Sequence, residues 1–244
     1  MVGLRGGSQP LISARGVRKA FGSVVALDGI DLDIHPGEFL TIFGPNGAGK
    51  TTLVKVLSTL TRPSAGTVNI LGVDVREQSE TARRQIGVIS HRSLLYPNLT
   101  ARENLDFYGA LYGLPKLSER ITEVLGEVEL TGLHNRAVKT FSHGMIQRLA
   151  IARALLHRPR ILLMDEPYTG LDQHAARLLH GLLRTLHTPE HAILMVTHNV
   201  ARGLELCDRL AIQAGGRIVY QTPAAEIDPS GFEELYFRYT AGGR

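Results

Sequence analysis

The chain has no tryptophan and a single cysteine, Cys207, among 244 residues. One thiol cannot close an intrachain disulfide, and that pattern fits a reducing compartment. No stretch of about 18 apolar residues occurs, so no segment is built to span a bilayer as a helix. Residues 1–10 are Gly-rich and hold no continuous apolar run, and they are expected to be neither a secretory signal nor an anchor. Runs of five or more like charges are missing too. The formal net charge is only +4, with Lys and Arg scattered, so charge alone gives no case for nucleic acid or an acidic membrane as partner. Repeats and low-complexity segments are absent.

What remains is a globular composition. Apolar residues make up 43% and charged residues 20%, enough for a sizeable core and too apolar for disorder. The length fits one large domain or two small lobes. Ile30, Leu32 and Ile34 alternate with Asp31 and Asp33, the period of a half-buried strand. Residues 39–43 form a short apolar run, and residues 51–60 read as the helix that follows. Residues 68–71 and 86–89 are further short strands. Thr100 and Glu103 make a capping box for a helix over residues 105–112. Ile121, Val124, Leu125 and Val128 have helical spacing. Ser142 opens a helix to residue 156. Strands at residues 161–164 and 192–197 flank a helix over 173–186. Residues 210–212 and 217–220 form a closing strand pair. Strands alternating with helices imply a mainly parallel sheet. The helical stretch over residues 92–158 looks like an inserted lobe.

Gly44-Pro45-Asn46-Gly47-Ala48-Gly49-Lys50-Thr51 satisfies G-x-x-x-x-G-K-S/T at every fixed position, with an apolar strand before it and a helix after it. Glycines let the backbone curl its N–H groups toward phosphates, and the helix start adds its positive end. Lys50 is expected on the β- and γ-phosphates, the Thr51 hydroxyl on Mg²⁺, and Thr52 on the α-phosphate. This phosphate loop, Gly44 to Thr52, predicts a nucleoside triphosphate site for ATP with Mg²⁺.

The run ending in Asp165 and Glu166 closes an apolar strand with two carboxylates. The carboxyl edge of a parallel sheet is where α/β folds place ligand groups. Asp165 suits the Mg²⁺ shell, through water, and Glu166 suits a general base that polarises the attacking water. Two solvated acids at a strand end are the bland alternative. His198 follows another apolar strand and is expected to bond the γ-phosphate. Phe21 either stacks on adenine or packs in the core. Ser142 and Gly144 begin a second helix, which makes a second anion-binding end. Two such ends so far apart suit a site completed by another subunit.

With these motifs in order, residues 11–222 resemble the ATP-binding subunits of ABC (ATP-binding cassette) transporters. The resemblance rests on the phosphate loop, FSHGMIQR, ILLMDEP, the GLD loop and His198. It implies a P-loop α/β fold of ABC type: a mainly parallel sheet core, a small antiparallel β subdomain and an inserted helical lobe at about 92–158. Residues 223–244 are then a C-terminal tail with a short helix. It also implies an ATPase at the cytoplasmic face of the cell membrane, peripheral through an integral membrane permease. Two ATP-binding subunits pair head to tail, so that Ser142 and Gly144 of one close the site of the other, with Asp172 coupling the two. Residues 92–102 are either the permease contact or an ordinary surface loop.

The chain departs from the family at two places. Phe141, His143 and Met145 replace three positions of LSGGQ, while Ser142 and Gly144 stay. His91 stands where the family has Gln; it either donates to phosphate or Mg²⁺-bound water, or is a spacer. The stretch IGVISHRSLLYPNLTARENLDFYGALYGL, with FSHGM and DEPYTGLD, resembles one branch, the haem-exporter subunits of cytochrome c maturation. Exporters of drugs, lipids or polysaccharides share the Gly144-Met145 pattern. Soluble cassette ATPases acting on nucleic acid or ribosomes usually carry coiled coils or two cassettes, and this chain has neither, so no nucleic-acid partner is expected. A non-catalytic regulatory nucleotide binder is a third class, against which Glu166 stands.

Overall fold

The computed structural model describes residues 9–90, 92–228 and 230–241. In chain order the elements begin with β1 (Ile12–Phe21), β2 (Val24–Ile34), β3 (Glu38–Phe43), α1 (Lys50–Leu57), β4 (Ala65–Ile70), β5 (Val73–Asp74), α2 (Ser79–Arg83) and β6 (Ile86–Ile89). The helices α3 (Ala101–Tyr112), α4 (Leu117–Glu127) and α5 (His143–Leu155) come next. The chain then returns through β7 (Ile161–Asp165), α6 (Gln173–Leu186), β8 (Ala192–Thr197), α7 (Val200–Leu204), β9 (Arg209–Ala214), β10 (Arg217–Pro223) and α8 (Phe232–Thr240).

Two sheets form. One is antiparallel, in the order β2-β1-β4-β5. The other runs β10-β9-β3-β8-β7-β6, parallel except for the β9–β10 pair. This is the expected P-loop fold of ABC type, with a parallel core, an antiparallel subdomain and helices inserted between β6 and β7. Every residue of β7 and β8 is buried, which is why both read as unbroken apolar runs rather than alternating ones.

The pleat divides the core in two. Ile161, Leu163, Leu194 and Val196 face α1 and the antiparallel sheet. Leu162, Met164, Ile193 and Met195 face the helices, packing with Leu105, Ile121, Val124, Leu149 and Leu179. Each fully buried Leu, Ile or Met contributes roughly 1.5–3 kcal/mol, so both faces help fix the strand register. The capping box of α3 is present, with Thr100 and Glu103 bonding reciprocally.

The structure adds elements that the pattern concealed. The alternation of β1 slips between Ala14 and Val17, where its pairing with β2 shifts register, so its apolar residues do not keep one period. The helices α2 and α7 have only five residues each, too few for a periodic signal. Helix α1 stops at Leu57 rather than residue 60, because Thr59 takes φ 61°.

His157, just beyond α5, stacks on Tyr112 with ring centroids 4.0 Å apart. Its Nε2 lies 3.0 Å from the Ile86 carbonyl, and its buried Nδ1 has no hydrogen-bond partner. Burial pulls its pKa down to about 4, against the Ile86 bond. Unfolded, the group protonates near 6.5; folded, only near 4. Stability is therefore fully present above pH 6.5 and declines as pH falls toward 4, by up to about 3 kcal/mol. His157→Gln should flatten the fall in urea midpoint over this window. An unchanged slope would show that another group carries it.

Candidate nucleotide site

Parallel register brings three strand ends to one edge. Phe43 pairs with Thr197, and Asp165 with Val196. The residues that follow are Gly44, His198 and Glu166, so segments more than 100 residues apart meet there.

The phosphate loop leaves β3 and turns into α1. A Cβ at Gly44 would lie 2.3 Å from the Gln213 carbonyl oxygen, and one at Gly49, which takes φ 101°, would lie 2.2 Å from the Ala26 carbonyl oxygen. Neither position can carry a side chain without the backbone moving. The Ala48 carbonyl accepts from the Gly216 amide at 3.1 Å and from Gln213 Nε2 at 3.0 Å. Gly49 caps α1 without a side-chain bond. The first-turn amides of a helix have no carbonyl behind them, so they suit a phosphate. Lys50 is buried, and its Nζ donates to the carbonyls of Gly44 at 2.6 Å and Pro45 at 3.0 Å. Burial lowers its pKa, and the charges of Glu166 and Asp165 oppose that.

Thr51 Oγ1 donates to Asp165 Oδ1 at 3.1 Å, across 114 residues of sequence. A hydroxyl beside a carboxylate is an all-oxygen donor pair, which fits Mg²⁺ and leaves its other positions to water and phosphate. Glu166 takes φ 51°, and its amide donates to the Val196 carbonyl at 2.9 Å. Its Oε1 accepts from the His198 amide at 2.9 Å and lies 2.8 Å from His198 Nδ1. Its Oε2 accepts from Thr197 Oγ1 at 2.9 Å. Glu166, Thr197 and His198 thus form one bonded group. Thr197 and Gln213 were not anticipated; the only trace of Thr197 was a hydroxyl closing an apolar strand.

Phe21 ends β1 and is 52% exposed, with Lys19 Nζ 4.9 Å from its ring centroid. It is free for stacking and not part of the core. His91 lies outside the described residues.

Ser142 caps α5, its Oγ accepting from the Met145 amide at 3.3 Å. Asp172 caps α6, with Oδ1 accepting from the Ala175 amide at 2.8 Å. That bond, first, and then the neighbouring His174 and Arg148 hold the Asp172 carboxyl below the ordinary range. A Cβ at Gly144 would lie 3.3 Å from Asp172 Oδ2. Ser142, Gly144 and Asp172 therefore share an edge. Among the described residues, no hydrogen bond or ion pair joins that edge to residues 44–52.

Residues 27–169 match the family model described as ABC transporter. The Nod factor export ATP-binding protein I of Ralstonia nicotianae is 37% identical over 91% of this chain and 70% of its own length. A daunorubicin resistance ATP-binding protein of Streptomyces coeruleorubidus is 35% identical over 88% of this chain and 69% of its own. Among solved structures, an ATP-binding subunit of an ABC transporter superposes with TM-score 0.82 at 28% identity, covering 93% of this chain and 94% of that one. A dimeric bacterial ABC transporter cassette gives 0.80 at 28% identity, covering 87% and 98%.

These relatives correct one expectation. The Nod factor export proteins recur among them, and they overturn the resemblance to the haem-exporter branch and the link to cytochrome c-type biogenesis. The residues behind that resemblance, 86–114, 141–145 and 165–172, run from β6 through α3 and into the starts of α5 and α6. Gly144 and Met145 open α5, and residues 167–172 lead into α6.

Proposed function

Because the chain belongs to the ABC transporter family, we propose that it powers an exporter of a drug, lipid or polysaccharide cargo, like its Nod factor export and daunorubicin resistance relatives. As a family member it is an ATPase, turning ATP and water into ADP and phosphate with Mg²⁺. It works with a membrane permease and in a dimeric arrangement of ATP-binding subunits.

One observation carries the assignment of residues: the meeting of three strand ends at one edge. Gly44, Asn46, Gly47, Ala48, Gly49 and Thr52 wrap the phosphates with backbone and hydroxyl donors, Pro45, which has no N–H, shapes the turn that carries them, and Phe21 stacks on adenine. Lys50 exchanges the Gly44 and Pro45 carbonyls for phosphate oxygens. Thr51 and Asp165 would hold Mg²⁺, whose charge offsets that of the phosphates. Glu166 takes a proton from the attacking water, and His198, already bonded to Glu166, donates to the γ-phosphate. The missing donors on the far side of the phosphate come from Ser142 and Gly144 of the second subunit, with Asp172 beside them.

Among the described residues no helix is long and apolar enough to cross a membrane. The proposal holds the chain at the cytoplasmic face through its permease. Leu94, Tyr96, Phe107 and Leu111 are exposed, and the rings of Tyr96 and Phe107 meet edge-on at 5.1 Å. This apolar surface supports residues 92–102 as the permease contact. Purified from detergent-solubilised membranes of its host, the chain should bring down a multi-span permease. Leu94→Asp with Tyr96→Asp should cut that yield several-fold. Salt-sensitive binding to nucleic acid in place of a permease would overturn the proposal.

A further inference from the structure

Position 143 is one of the three at which the chain departs from LSGGQ, with an imidazole in place of a glycine. The ring lies on the loop ahead of α6. A Cβ at Gly170 would fall 2.5 Å from His143 Nε2 and 3.1 Å from its Cδ2. Gly170 takes φ 76°, so a side chain there is disfavoured by backbone and space alike. Two residues on, Asp172 Oδ2 approaches Gly144 in the opposite direction. The two segments therefore touch twice, each time side chain against glycine. Without the His143 ring, the Gly170 contact is lost and the approach of Asp172 to Gly144 remains.

We propose that His143 is a positioning residue that clasps the loop at 170–172 to the start of α5. Ser142, Gly144 and Asp172 then approach the second subunit's ATP as one preformed surface. This rests on the two-subunit site proposed above. A loop ordered before association does not have to be ordered during it, and association is tighter by that amount. His143 needs no contact with nucleotide for this role.

The test uses the full chain in a Glu166→Gln background. With His143→Gly, the ATP concentration for half-maximal dimerisation should rise about 5–10-fold, a loss of preorganisation. ATP affinity at chain concentrations too low to dimerise should stay unchanged, as should thermal stability. His143→Gln, which again lays a flat polar group on Gly170, should recover most of the loss. Amide exchange over residues 170–175 of the nucleotide-free monomer should quicken in His143→Gly. Unchanged exchange would overturn the clasp. Faster exchange with unaltered dimerisation would overturn its role in positioning. If Glu166→Gln itself forms no ATP-dependent dimer, the two-subunit site fails and the positioning role with it, whereas the monomer exchange result still decides whether the clasp exists.

Discussion

Glu166→Gln is expected to cut ATP turnover by about 100-fold or more, the scale of a lost general base, and to leave an ATP-loaded dimer. The substitution is nearly isosteric. Its amide oxygen can still accept from Thr197 Oγ1, as the carboxylate does at 2.9 Å. The φ of 51° at this position is unchanged in kind. What disappears is the proton acceptor: an amide cannot take the proton of an attacking water. Its NH₂ group also cannot accept from the His198 amide, as Oε1 does now, while it can donate to His198 Nδ1, which lies 2.8 Å from Oε1. Binding should therefore survive while the chemical step stops. Turnover and gel-filtration mass, measured with ATP and Mg²⁺, check both halves. Turnover at the wild-type rate would show that Glu166 is not the base.

Ser142→Arg is expected to abolish turnover just as thoroughly, with ATP binding to the isolated chain intact. Ser142 makes no hydrogen bond to residues 44–52; its bond is to Met145. Losing that cap costs about 0.5–2 kcal/mol of local stability, and a cation at a helix N-terminus is unfavourable as well. A stability effect must therefore be separated from loss of the phosphate contact. Ser142→Asp does so. Aspartate keeps the cap and suits the helix end, but its charge repels a γ-phosphate. Both variants should be inactive, and both should bind ATP as monomers. An active Ser142→Asp would mean that Ser142 serves only its own helix.

The phosphate loop and the strands under it were legible because their chemistry is local. Glycines, a lysine and a hydroxyl in eight consecutive residues state their purpose without help from the fold. Asp165 and Glu166 were legible for a related reason: two acids ending a fully apolar strand are costly unless the strand ends at a polar site. Strand β1 was not, because a register slip between Ala14 and Val17 breaks its alternation. Thr197 and Gln213 were also invisible. Each acts across the sheet, on Glu166 and on Ala48 respectively, and sequence spacing carries no trace of such pairings. The exporter branch was misjudged for a different reason. The residues that resemble a haem-exporter subunit lie in β6, α3 and the starts of α5 and α6, and the Gly144-Met145 pattern among them is shared by exporters of drugs, lipids or polysaccharides, so it does not separate one cargo from another.

The structure places Asp165, Glu166 and His198 at the phosphate-loop edge, yet among the described residues no hydrogen bond or ion pair joins the Ser142 edge to it. That division makes a site built from two chains the central claim, and mixing two inactive variants tests it most directly. Lys50→Ala damages the phosphate loop, and Ser142→Arg damages the closing edge. In a mixed dimer one site combines both lesions. The other combines an intact phosphate loop with an intact Ser142. Mixing should therefore recover ATP turnover that neither variant shows alone. If each chain builds its whole site from its own residues, every site in the mixture is damaged, and a mixture as inactive as its parts would contradict the two-chain site.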